Sequence, residues 1–280
     1  MMHLDDFAKA KMRINQANVS SVLFPNEQEQ WRQLSEDELD HRLKRLCTMP
    51  LCNEDFTVVY SLYMRLKWLD VLNNVAPKNG ASILEVGSGS STNIPYAMTV
   101  YDTNSRYITA NMNKDLTAGL RHGTSSLPIS IEIIEDDANN IKNYIEPDKL
   151  DAVVFEHSVN DVLQAILGEH NGIDTTNNDW FAVLPDMIKM ISDAYVNGTL
   201  ADKVKEPFLS LISNCLSVIQ PGGYMAMSHY MFQYDLDLGY NADLWQNMLQ
   251  VIRPWMKELS IGREVYFEGF DSQWWLFYQK

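Results

Sequence analysis

Two glycines spaced one residue apart follow a short apolar run in Ile83-Leu84-Glu85-Val86-Gly87-Ser88-Gly89-Ser90-Ser91. A buried strand that turns through glycines into a helix lets main-chain amides approach a ligand closely. The turn alone does not name the ligand, because the third small position is Ser91 and not glycine. Glu85 narrows the choice: two residues before the first glycine, its carboxylate would stand where the pyrophosphate of a dinucleotide lies, which favours a cationic ligand. Three polar clusters also follow apolar runs: Glu135-Asp136-Asp137-Ala138, Glu156-His157-Ser158-Val159-Asn160-Asp161 and Ser228-His229-Tyr230. Imidazole titrates near neutrality, so His157 and His229 carry proton-transfer chemistry.

These residues need strands to place them. After Pro77-Lys78-Asn79-Gly80 short apolar runs alternate with helical patterns, the signature of βαβ units on a parallel sheet. The candidate strands are Ser82–Val86, Tyr107–Asn111, Ile129–Ile134, Leu150–Phe155 and Tyr224–Ser228, with Arg263–Gly269 and Gln273–Gln279 closing the chain. The last two are too close together for a crossover helix, so the sheet should end antiparallel. Nearly seventy residues separate the fourth and fifth strands, about twice what one crossover helix and its loops require. That excess, with a polar stretch at 170–179 and a helical pattern at Trp180–Tyr195, reads as a lid-like insertion over 156–206. It follows a strand end where open α/β sheets bind ligands.

The first 79 residues contain no glycine and read as a helical cap. Ser35 to Glu38 has the spacing of a capping box, Asn53 can cap a helix with an apolar face from Phe56 to Leu69, and further helix is expected near 4–17. The domain division is therefore a cap over 1–79 and a ligand-binding domain over 80–280.

The chain has 280 residues and a net charge of −15, nearly all of it after residue 80. A field of that sign repels phosphate backbones and anionic lipid, so neither nucleic acid nor a membrane is an expected partner. No apolar run approaches the ~18 residues of a membrane span, and the charged N-terminal stretch is unlike a signal peptide. Cys47, Cys52 and Cys215 are too few and wrongly spaced for a disulfide framework or a CxxC metal site, which suits the reducing cytoplasm.

From about residue 80 to the end, the sequence resembles the class I (Rossmann-like) S-adenosylmethionine-dependent methyltransferases. Glu85-Val86-Gly87-Ser88-Gly89 matches their first motif, Glu135-Asp136-Asp137-Ala138 their adenine-contacting acidic motif, and Ile219-Gln220-Pro221-Gly222-Gly223 the turn before their fifth strand. The resemblance implies a doubly wound, seven-stranded, mostly parallel sheet with an antiparallel C-terminal strand. It also implies S-adenosylmethionine as cofactor and S-adenosylhomocysteine as product. Glu85, Gly87, Ser88, Gly89, Asn111, Met112, Asp137, Ala138 and Glu156 are then the expected cofactor-binding residues. Asn111 departs from the pattern, since the family usually places Asp or Glu there for the ribose hydroxyls; an amide loses the charge-assisted component.

A methyl acceptor needs alignment and, where it carries a proton, a base. His157 at the end of the fourth strand is the expected base or acceptor-orienting group, with His229 and Tyr230 as rivals. No metal is expected, because the fifth strand ends in Ser228-His229 where metal-assisted O-methyltransferases carry Asp-Asn. Cap and insertion are expected to meet above the strand ends and enclose a small metabolite or natural product, methylated at oxygen or nitrogen. A peptide or protein side chain as acceptor, a non-catalytic regulatory protein of the same fold, and a homodimer stay open.

Overall fold

The computed structural model describes residues 7–280; positions 4–6 of the first expected helix lie outside the described residues. Five helices come first: α1 (Phe7–Gln16), α2 (Val19–Val22), α3 (Pro25–Gln33), α4 (Glu36–Leu46) and α5 (Val58–Val75). Ser35 caps α4 as its spacing predicts, its hydroxyl accepting from the Glu38 amide. Asn53 does not cap α5. Asn53–Asp55 form a single 3₁₀ turn, and α5 starts after Thr57, because Asp55 is drawn to the Cys52 amide and to Arg45.

The remaining elements are β1 (Ser82–Val86), α6 (Asn93–Tyr101), β2 (Arg106–Ala110), α7 (Lys114–Thr124), β3 (Ser130–Ile134), β4 (Leu150–Glu156), α8 (Val159–His170), α9 (Trp180–Val196), α10 (Leu200–Val218), β5 (Ile219–Ser228), α11 (Gln233–Asp237), α12 (Ala242–Gln246), α13 (Met248–Met256), β6 (Arg263–Val265) and β7 (Trp275–Gln279). The strand order is β3-β2-β1-β4-β5-β7-β6. β1 to β5 are parallel, and β7 runs antiparallel to both β5 and β6. This is the seven-stranded, doubly wound sheet that the resemblance implied.

β4 is buried along its whole length, as a central parallel strand covered on both faces must be. The turn expected before β5 is absorbed into that strand. Ile219 pairs with Leu150 and Tyr224 with Ala152, so the intervening residues bulge, and Gly223 lies so close to the Asp151 carbonyl that a Cβ there would sit 2.6 Å from it. β6 is shorter than its apolar run suggests. Phe267 and Phe270 leave the edge and pack on Phe277, 5.0 and 5.1 Å between ring centroids.

α5 is apolar nearly all round because it is covered on several sides. Val59, Leu62, Trp68 and Val71 are buried, and the helix packs against α6 and β5. Arg65, only 3% exposed, joins α5 to α3 and α6: it pairs with Glu27 at 2.6 Å and lies over the Tyr96 and Phe24 rings. The segment before α5 reaches the residues after β5, where Leu51 and Phe232 form an isolated parallel bridge. Strand order reverses between β1 and β4, the place where open α/β sheets leave a crevice at their carboxyl ends.

Candidate active site

The β1 turn enters that crevice. Gly87 and Gly89 have φ of 69° and 56°, a region that L side chains rarely adopt. A Cβ on Gly87 would lie 3.1 Å from the Ser158 Cβ, and the Ser158 hydroxyl donates to the Val86 carbonyl at 2.6 Å. The turn is thus clamped between β1 and the start of α8, with its main chain toward the opening. Behind it Glu85 is fully buried, and one carboxylate oxygen accepts from the Tyr107 hydroxyl at 2.6 Å. The other, Oε1, has no hydrogen-bond partner. Burial, and then the nearby Glu156, hold this carboxyl well above its ordinary range. Ser88 turns inward, its hydroxyl accepting from Thr109 at 2.9 Å, so only its main chain serves the turn.

A cavity of about 500 Å³ opens from the turn, a volume typical of small-molecule sites. Gly87, Gly89, Asn111, Met112, Asp137 and Ala138 all line it. These six residues come from the ends of β1, β2 and β3, so the fold gathers the larger part of the expected cofactor set at one opening. Asn111 donates from Nδ2 to the Gly89 carbonyl at 2.8 Å. Its amide N–H therefore braces the glycine turn, and the carbonyl oxygen is the atom left to face a ligand. Asp137 caps the 3₁₀ turn Ala138–Asn143 through the Asn139 amide.

The far wall comes from the insertion. Asp161, Val162, Ile166, Ile173 and Trp180 line the cavity, whereas no described residue of the cap does. Of the two elements expected to meet over the opening, only the insertion contributes to the cavity lining among the described residues. A strap fixes the cover: Asn113, which caps α7, donates from Nδ2 to the carbonyls of Thr175 and Asn178, both at 3.0 Å. The polar stretch at 170–179 is thereby tied across the end of β2.

The expected catalytic residues lie apart from this cavity; none of His157, His229 and Tyr230 lines it. His157, with φ of 55°, is stacked between the rings of Tyr230 and His229, 4.6 and 5.1 Å between centroids. Burial, and then His229, push its pKa well below 6.5. His229 is wholly buried with Nε2 2.6 Å from the Trp245 carbonyl, and burial lowers its pKa to about 4. His229 is thus enclosed away from the cavity, with its ring against the protein's own main chain. Tyr230 is 2% exposed and donates its hydroxyl to Glu156 at 3.1 Å. Glu156 also accepts from Ser91 and Asn93, both at 2.9 Å, and so braces the glycine turn from behind the cavity wall.

Sequence reasoning grouped Asp161 with the polar contacts around His157, but the structure gives it the more direct position. It sits in the first turn of α8 and is the carboxylate nearest in sequence to Ser158 on the cavity wall. Glu135, Asp136, Asp137, Asp161, Glu169 and Asp174 all line the cavity, and no lysine or arginine does among the described residues. The acidic excess after residue 80 hinted at such a field; the contribution of the β3 loop to it shows only in three dimensions.

A scan against family models and a search of curated proteins each find no match. Solved structures give remote likenesses. An S-adenosylmethionine-dependent methyltransferase from Aquifex aeolicus aligns at 10% identity and a TM-score of 0.46, covering 76% of this chain and 87% of that one. An rRNA methylase from Streptococcus thermophilus aligns at 12% identity and a TM-score of 0.40, covering 76% and 93%.

Proposed function

We propose that the protein transfers a methyl group from S-adenosylmethionine to a small acceptor, at nitrogen or oxygen. The observation that carries this reading is the pairing of the Gly87–Gly89 turn with the buried Glu85, whose Oε1 has no partner, at the reversal point of the sheet. An acid behind the glycine turn disfavours a pyrophosphate, and the acids that line the cavity suit a ligand with a positively charged amino-acid end. The cavity walls fit the rest: Asn111 Oδ1 can accept from a ribose hydroxyl, Asp137 from an exocyclic amine, and Leu116, Val162 and Ile166 supply apolar surface for a base.

When bound, S-adenosylmethionine supplies a methyl group already activated by its sulfonium. The chain has then to orient the acceptor, exclude water and receive a proton. The insertion wall, strapped down by Asn113, performs the exclusion. An anionic cavity also repels polyphosphates, which favours a small neutral or cationic acceptor over nucleic acid. Calorimetric titration with S-adenosylhomocysteine tests the reading. Saturable one-to-one binding, weakened at least tenfold by Gly87→Ala, is expected; no binding by the intact protein overturns it.

A further inference from the structure

We propose that the methyl acceptor is a small amine, its ammonium group received by Asp161 with Asp235 behind it. The assignment rests on the methyl-donor reading above and specifies its substrate class.

Asp161 lines the cavity on the same wall as Ser158, so it faces the space beside the glycine turn. Its one hydrogen bond is from Asn160 Nδ2, at 2.7 Å. Asp235, on α11 and 8% exposed, adds a second carboxylate whose field reaches Asp161. Asp161 opens onto the cavity and Asp235 is buried, and two acids so placed repel each other as carboxylates unless something positive occupies the site.

The polar groups around them are also incomplete. Gln164, one turn along α8 from Asp161, is wholly buried and lies against the Tyr240 hydroxyl, which feels both carboxylates. Neither the Gln164 amide nor the Tyr240 hydroxyl reaches hydrogen-bonding geometry with any partner. Buried polar groups are normally paired, so the open valences of Gln164 and Tyr240 beside two acids describe a site awaiting a donor. An ammonium offers three donors and a positive charge. A hydroxyl would bring no charge to offset the two acids, and a carboxylate ligand would add a like charge.

The chemistry balances with these groups alone. Asp161, as carboxylate, takes one proton from the ammonium and frees the nitrogen lone pair. That lone pair forms the new bond to the methyl carbon while the carbon–sulfur bond breaks, its electrons remaining on sulfur. The product leaves as a methylated ammonium, and Asp161 returns its proton to solvent.

The test measures binding to protein saturated with S-adenosylhomocysteine, using two matched sets: 2-phenylethylamine, 2-phenylethanol and phenylacetate, then butylamine, butanol and butyrate. At least one amine should bind tenfold or more tightly than its matched alcohol and acid. Asp161→Asn should erase that preference and Asp235→Asn should reduce it, while Glu146→Gln, exposed and away from the cavity, leaves it within about threefold. Absence of an amine preference, its survival in Asp161→Asn, or an equal loss in Glu146→Gln would overturn the assignment. Circular dichroism and S-adenosylhomocysteine affinity verify that each variant is folded. Failure of the unaltered protein to bind S-adenosylhomocysteine would instead overturn the methyl-donor reading itself.

Discussion

The Tyr230 main-chain N–H donates to His157 Nδ1 at 3.3 Å, across the gap between the ends of β4 and β5. With Nδ1 accepting, the single proton of the neutral ring resides on Nε2. His157 therefore presents a donor on its other nitrogen and cannot take a proton there. Its φ of 55° adds a second constraint, since the left-handed region suits Asn far better than Ala.

His157→Asn should consequently be mild, because the Asn carbonyl oxygen can replace Nδ1 and Asn tolerates the backbone. His157→Ala should cost about 2 kcal/mol, from an unpaired buried N–H and a strained φ. Turnover in His157→Asn should stay within about tenfold of normal, whereas loss of a general base costs about 10²-fold or more. Denaturant titration and initial rates check both; a hundredfold rate loss in a stable Asn variant would restore the imidazole as base.

The fold was legible because its signals are local. Alternating runs mark β1 to β5, the short link before β7 dictates an antiparallel end, and Ser35 announces its helix. One wall of the cavity was legible for the same reason: Gly87, Gly89, Asn111 and Asp137 each stand at a strand end, and strand ends converge. The opposite wall was not. Asp161 and Asp235 lie 74 positions apart in sequence, on α8 and α11, and no local pattern pairs them. His229 looked accessible because its cluster follows a strand, yet residues as distant as Trp245 and Trp274 enclose it.

Gly87→Ala should be the most damaging single methyl in the crevice. The left-handed φ and the 3.1 Å approach to Ser158 act together, costing about 2 kcal/mol by backbone strain and overpacking. The loss should exceed that of Gly80→Ala, which shares a positive φ but meets nothing within 4 Å. Equal denaturation midpoints for the two variants would contradict the clamp.

Asn111→Asp would install the carboxylate that the family usually carries, and a gain in affinity is the naive expectation. The structure argues the reverse. Asn111 Nδ2 donates to the Gly89 carbonyl, so a carboxylate there sets two acceptors 2.8 Å apart and loosens the turn. S-adenosylhomocysteine affinity should fall roughly tenfold, a loss of about 1.4 kcal/mol. Tighter binding by calorimetry would refute the bracing role.

Asn113→Asp separates two functions of one side chain. Asp keeps the helix cap, in which the side-chain oxygen accepts from the Leu116 amide, and loses both bonds donated to the strap. Global stability should fall by no more than about 2 kcal/mol, at roughly 1 kcal/mol for each bond. Amide exchange should accelerate across residues 173–178, and ligand dissociation should quicken. Exchange unchanged in that segment would show that other contacts hold the strap.

The buried acids set an opposite pH slope to the buried histidines. Burial, and then Asp235, raise Asp161 from 3.8 to about 8, so between those values the folded chain holds a proton that the unfolded chain has released. Stability from this group falls as pH rises. His229, lowered from 6.5 to about 4, stays neutral in the fold while the unfolded chain protonates, so its contribution falls as pH drops from 6.5 toward 4. Asp235, raised to about 6, adds to the Asp161 slope only at the acidic end. Above pH 6.5 the Asp161 slope therefore stands without the histidine counterweight. Asp161→Asn should melt at a higher temperature than the unaltered protein in the absence of ligand, and the gap should widen between pH 6.5 and 8. A gap that is constant or narrows across that range would mean that Asp161 is already ionised in the folded protein.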